Sequence, residues 1–261
     1  MSKKYCFTEQ EFYVLAGCLG ITRLYGFKPS GPLRIGDKEM HQMLFKMSAK
    51  GFLEIEEDGF LVTADIRELF NCLKQAGSAI TLSAVDESFP VKCIYPGDKT
   101  LLVEAGGIQG KYFKCACGSL SEIWESICED DVLLEQNIAD DLLYDAAPVE
   151  TEELGDDGLV WLETFLSEDR EEERKAGKRE KLLEYGVHAI WEKRTTADAL
   201  AKKWMYLIRR PLYDMILIRE ADDVKMFRYS ERLLMEIWKE WMEEVQNDNG
   251  RCLCTSIGQG V

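Results

Sequence analysis

The stretch MLFKMSAKGFLEIEEDGFLVTADIRELFNCL, Met43–Leu73, constrains the fold more than any other part of the 261-residue chain. The period of its apolar residues switches twice within it. Met40, Met43, Leu44 and Met47 recur at helical spacing, and Asp37 is placed to cap that helix. Gly51 follows, where a left-handed backbone ends a helix at little cost. Phe52–Ile55 then read as a strand, Glu57-Asp58-Gly59 as a tight turn and Phe60–Val62 as the return strand. Thr63 opens another helix, with Ile66, Leu69, Phe70 and Leu73 on one face. Upstream, Thr8 and Glu11 form a capping box ahead of Phe12, Leu15, Ala16 and Leu19, and Gly20 stops that helix. The opening order is therefore helix, helix, hairpin, helix.

Residues 78–116 read differently. Ala79–Ala84, Val91–Tyr95, Thr100–Glu104 and Lys111–Cys115 are short strand-like runs separated by proline and glycine turns, which predicts an antiparallel sheet. A helix is expected from Ser119 to Cys128. Further on, helices are expected at 159–166 and 169–185, and from Thr196 to Arg209. Leu212–Ile218 and Val224–Tyr229 are expected strands. Ser230 is placed to cap a last helix whose apolar face carries Leu234, Ile237, Trp238, Trp241, Met242 and Val245. The predicted class is α+β. Residues 1–76 form one module, 77–139 a sheet with a helix, 140–158 an acidic linker, 159–246 a C-terminal α+β half and 247–261 a flexible tail. The coarse likeness of the two halves admits a pseudo-repeat.

Charge narrows the function. The formal net charge is −16, and residues 121–173 hold twenty acidic side chains against one basic one. Long-range repulsion of this sign opposes encounter with nucleic acid. No apolar run approaches the length of a membrane-spanning helix, and with no apolar stretch after Lys3 and Lys4 an export signal is not expected. The nine cysteines therefore read as reduced thiols of a cytoplasmic protein. Cys115-Ala116-Cys117 and Cys252-Leu253-Cys254 have a gap shorter than structural zinc ligands use, so neither metal nor cofactor is expected.

Catalysis finds little support. His41 and His188 are the two histidines, and no nucleophile elbow or phosphate-cradling glycine loop accompanies them. The expectation is a protein that is not an enzyme. Nucleic-acid binding would use Lys38, His41, Lys46 and Lys50, but Glu54, Glu56, Glu57 and Asp58 would then face phosphate. The competing expectation is a protein partner, for which Leu234, Trp238, Trp241 and Met242 are the candidate contacts.

The order helix, hairpin, helix over Met43–Leu73 resembles a winged-helix module. The Thr8–Leu19 helix with its Leu19-Gly20-Ile21 run, the Leu44–Ala76 segment leading into Ala79–Ala84, and a looser echo at 196–245 resemble the EspG-type chaperones of type VII (ESX) secretion. The closer part of the resemblance covers about the first third of the chain. It implies an α+β body with quasi-symmetric halves, a helical secreted protein as partner, a cytosolic site of action and no enzymatic activity. It transfers no binding residue by position. The acidic middle segment and the cysteine content depart from that family. The alternative remains a winged-helix transcription regulator.

Overall fold

The computed structural model describes residues 3–21, 24, 27, 35–85, 89–106, 112–129, 148–149, 160, 162, 182–195, 201–210, 214–220 and 223–257. The class is α+β, as expected. The chain divides into two compact units: Met1–Thr81, Pro90–Ser126 and Val245–Val261 form the first, Leu82–Phe89 and Ile127–Glu244 the second. Neither unit is a continuous stretch, so the division does not follow the linear segments read from the sequence.

The first unit starts with a strand that the sequence reading missed, β1 (Lys3–Thr8). Thr8 ends it and caps α1 (Glu9–Cys18) directly, and the capping box is present as read. The Thr8 hydroxyl accepts from Glu11 N at 3.2 Å, and Glu11 Oε2 accepts from Thr8 N at 2.9 Å. α2 (Asp37–Ala49) has Gly36, not Asp37, as its N-cap, because the Glu39 carboxylate reaches back to Gly36 N. Gly51 ends it with φ +76, its amide bonded to Ser48 O and the next amide, Phe52 N, to Met47 O. The hairpin of β2 (Leu53–Glu56) and β3 (Gly59–Val62) pairs Leu53 with Val62 and Ile55 with Phe60. Thr63 then precedes α3 (Ala64–Gln75), but its hydroxyl donates to Gly51 O or Phe52 O at 3.2 and 3.3 Å. It ties α3 to the end of α2 in place of capping α3.

β4 (Ser78–Ala84), β5 (Val91–Tyr95), β6 (Thr100–Gly106) and β7 (Tyr112–Gly118) complete a sheet in the order β1-β7-β6-β5-β4. The β5–β6, β6–β7 and β1–β7 pairs are antiparallel. β1 thus enters the sheet beside β7, so the opening segment is woven into a larger unit. The helix, helix, hairpin, helix order is found, but not as a free-standing winged-helix domain. Phe7, Phe12, Phe52, Phe70 and Phe113 form the aromatic centre of this core, with ring centroids 4.6 Å apart for Phe12 and Phe113 and 4.8 Å for Phe7 and Phe52. α4 (Leu120–Cys128) follows β7, its start bonded to Ser119 as expected.

The second unit holds β8 (Val187–Thr195), β9 (Ala201–Ile208), β10 (Met215–Glu220) and β11 (Asp223–Arg228), each antiparallel to the next. The helix expected from Thr196 to Arg209 is β9. It lies between two strands, and its continuous apolar run Trp204–Ile208 reflects burial on both faces, a pattern that periodicity alone does not separate from a buried helix. Tyr206, Ile208, Met215 and Leu217 pack with Val187 and Met226 on one face. On the other, Trp191 meets Trp238 of α5 (Glu231–Ile257) edge to face at 5.5 Å. Ser230 caps α5 as read, accepting from Leu233 N at 3.1 Å. α5 continues through Ile257, where a frayed tail from Asn247 was expected, since each added residue of an established helix gains a backbone hydrogen bond.

The four strands β4–β7 followed by α4 parallel β8–β11 followed by α5 in order, a coarser repeat than the helix, strand, strand, helix unit expected. Most of the linker at 140–158, most of the helix at 159–166 and most of the helix at 169–185 lie outside the described residues, as do Thr196 and the side chains of Cys252 and Cys254.

Candidate protein-interaction surface

Strand alternation puts Leu53, Ile55, Phe60 and Val62 on one face of the hairpin. The stripe begins in the core, where Leu53 and Val62 are buried, and does not stop there. Phe60 is half-buried and Ile55 is 61% exposed. Phe45 of α2, 56% exposed, stands edge to face with Phe60 at 5.4 Å. An aliphatic and two aromatic side chains therefore meet at the surface, drawn from a helix and a hairpin that both rest on the core. Glu54 and Glu56 project from the opposite face of the hairpin and Glu57 and Asp58 from its turn, all exposed. The surface is apolar with an anionic border.

This trio was not singled out from the sequence. Phe45 falls outside the Met40, Met43, Leu44, Met47 stripe, which was its signal, and four-residue strands are too short to shelter Ile55 at their tip.

The residues proposed for partner binding sit elsewhere. Leu234, Trp238, Trp241 and Met242 are all at most 1% exposed. Trp238 packs on Trp191, and Lys203 Nζ lies 5.6 Å from the Trp241 ring centroid. The helical stripe is core of the second unit, so that assignment is corrected.

The four residues proposed for nucleic acid divide. Lys38, His41 and Lys46 are exposed on α2. His41 Nδ1 lies 2.8 Å from Asp37 O, so this nitrogen carries the proton. Lys50 is engaged: Nζ donates to Glu11 Oε1 at 2.6 Å and Oε2 at 2.9 Å, and Glu11 is only 4% exposed. Its role is to neutralise the buried carboxylate that closes the α1 capping box.

A cleft of about 500 Å³ opens elsewhere on the first unit, lined by Asp65, Glu68, Asp98, Lys99, Cys117 and Glu122 among others. It contains neither histidine. Lys99 is paired with Glu68 at 2.5 Å. Among the described residues no three of His, Cys, Asp or Glu group closely enough to hold a metal ion. Cys115 and Cys117, two apart on β7, share a strand face; Cys115 is buried, and burial pushes its thiol well above the usual range. Among the described residues no helix is long and apolar enough to cross a membrane.

No family model matches the chain, and no curated protein matches it. A solved structure that does match is the Mycobacterium tuberculosis type VII secretion system chaperone EspG5 in complex with the PE25–PPE41 dimer. The identity is 12% and the TM-score 0.49, over 88% of this chain and 92% of that chain, a distant likeness.

Proposed function

We propose that this chain is a non-enzymatic protein-binding module that seats a polypeptide on the Phe45, Ile55 and Phe60 surface. One observation carries the reading: the apolar stripe of the hairpin runs out of the core and ends in exposed side chains. Exposed clusters of large apolar residues with a polar border mark contact sites, and aromatic residues dominate the energetics of such contacts. The border of Glu54, Glu56, Glu57 and Asp58 favours a partner that flanks its apolar anchor with lysine or arginine. An amphipathic helix meets this need, presenting an apolar stripe and basic flanks together. The role is that of a cytoplasmic adaptor or chaperone for a helical protein, the role implied by the resemblance to the EspG-type family.

The nucleic-acid reading keeps Lys38, His41 and Lys46, but Lys50 serves Glu11 and four carboxylates stand on the hairpin. Each lysine diverted from phosphate removes a counterion-releasing contact, and each carboxylate opposes the rest.

The test is affinity capture from the native host with wild type and a Phe45→Ser/Ile55→Ser variant whose far-UV circular dichroism is unchanged. A protein retained by wild type and lost by the variant is the expected result. Retention of the same protein by both, or capture of nucleic acid in place of protein, refutes the reading.

A further inference from the structure

β1 is the end strand of its sheet: it pairs with β7 on one side, and among the described residues no strand lies on the other. Thr8 N donates to Glu11 Oε2 and not to β7. Antiparallel pairing alternates along a strand, so Thr8, Cys6 and Lys4 turn their backbone groups away from β7, while Phe7, Tyr5 and Lys3 turn theirs toward it. The N–H and C=O of Lys4 and of Cys6 therefore form an open edge that no described residue covers. The Lys4 and Cys6 side chains are exposed on one face of this edge, the face that also carries Lys114 of β7. Tyr5 and Phe7 lie on the opposite face, against the core.

The 500 Å³ cleft opens beside this edge, because Tyr5 lines it together with Asp65, Glu68, Asp98, Lys99 and Glu122. Four carboxylates face one ammonium there, and that ammonium is committed to Glu68. A chain added to β1 sets one residue opposite Tyr5, about 4.8 Å away, with its side chain on the cleft face. An acidic side chain in that place meets like charge, and a short one stops at the Tyr5 ring. Arginine or lysine crosses the ring, a favourable contact for a cation, and carries its charge toward the carboxylates. We propose that the open edge of β1 binds an extended peptide segment, antiparallel to it, that places arginine or lysine opposite Tyr5 and an acidic residue opposite Lys4.

Backbone groups and side chains divide the work. The four groups of Lys4 and Cys6 offer hydrogen bonds to any extended chain, so they supply affinity, and the charges on the two faces select the sequence. On the cleft face the carboxylates select a cation. On the other face the next residue of the segment lies against Lys4, with Lys114 diagonally across on β7, and opposite charge stabilises such a cross-strand pair. A second copy of β1 does not meet both conditions. The two-fold register that sets the copy's Lys3 opposite Tyr5 also sets Lys4 against Lys4, a like-charge pair. None of these residues belongs to the surface at Phe45, Ile55 and Phe60.

The test titrates the 15N-labelled, reduced, full-length protein with the blocked peptide acetyl-Thr-Val-Thr-Arg-Glu-Val-Thr-amide, whose arginine falls opposite Tyr5 when its glutamate falls opposite Lys4. The Lys4 and Cys6 amide resonances are expected to shift, and their hydrogen exchange to slow. Replacing the peptide's arginine by glutamate is expected to weaken binding about tenfold. Asp65→Asn/Asp98→Asn is expected to weaken the arginine peptide several-fold. Methylating the peptide nitrogens of the glutamate and of the threonine before the arginine removes the donors that face Lys4 and Cys6 and keeps every side chain, so binding is expected to be lost. Cys6→Pro removes an outward N–H, a change that an edge strand tolerates, and is expected to abolish binding with unchanged far-UV circular dichroism. The proposal is overturned if the Lys4 and Cys6 amides stay in place at millimolar peptide, if the methylated peptide binds as well as its parent, or if the glutamate peptide binds as tightly as the arginine peptide.

Discussion

Replacing Lys50 by methionine isolates one interaction on which the opening of the first unit depends. The Glu11 carboxylate is 4% exposed and accepts three hydrogen bonds, from Thr8 N at 2.9 Å and from Lys50 Nζ at 2.6 and 2.9 Å. Lys50→Met keeps the aliphatic stem near Phe52 and removes the cation of the pair. Breaking a fully buried pair from one side costs about 3–5 kcal/mol, whereas an exposed pair is worth about 1 kcal/mol or less. Here one partner is buried and the Lys50 side chain is 43% exposed, so water partly replaces the ammonium. The expected loss is about 2 kcal/mol, between those limits. With a urea slope near 2 kcal/mol/M, the unfolding midpoint falls by about 1 M. Glu11→Gln retains an acceptor for Thr8 N and loses the charge. The double variant Glu11→Gln/Lys50→Met should therefore be more stable than the sum of the single losses predicts, by about 1 kcal/mol or more. Urea unfolding under reducing conditions, followed by far-UV circular dichroism, reads all four proteins. A Lys50→Met midpoint within about 0.2 M of wild type, or strictly additive losses, would refute this account of Lys50.

Other positions give sharp outcomes. Gly186 has φ +78, and a Cβ there would stand 2.3 Å from Arg209 O. Gly186→Ala should lose about 2–4 kcal/mol as β8 and β9 are forced apart, seen as a lower thermal midpoint. Trp238→Ala should cost about 3–5 kcal/mol in urea unfolding, as expected of a core residue and not of a partner contact. Burial alone would raise the Glu244 carboxyl, but the hydrogen bond from Lys193 and the charges of Lys203 and Lys193 hold it below its ordinary value of 4.5. A lowered folded value means stability that is present above pH 4.5 and lost as pH falls through the folded value. Thermal midpoints measured from pH 6 to 3 should fall further for wild type than for Glu244→Gln.

Local signals carried the fold where they were self-contained. The Thr8–Glu11 box, the Gly51 stop, the hairpin register and the Ser230 cap each involve residues a few positions apart, and each was legible. What failed depends on distant partners. β1 carries a short KKYCFT run that becomes a strand only beside β7. β9 looks helical because both of its faces are covered. The α5 stripe shows which side of the helix is apolar, but not that Trp191 of the same chain covers it. Lys50 looked available for phosphate because Glu11 is close only in space. The surface at Phe45, Ile55 and Phe60 was hidden for the same reason: exposure is a property of the folded chain.

The most direct measurement places a photo-crosslinking amino acid at Ile55 in the native host, with Tyr112, an exposed residue of β7, as the control position. The account predicts a covalent adduct to a polypeptide with basic flanks at Ile55 and none of that adduct at Tyr112. A nucleic-acid adduct at Ile55, or the same polypeptide adduct at both positions, would contradict it.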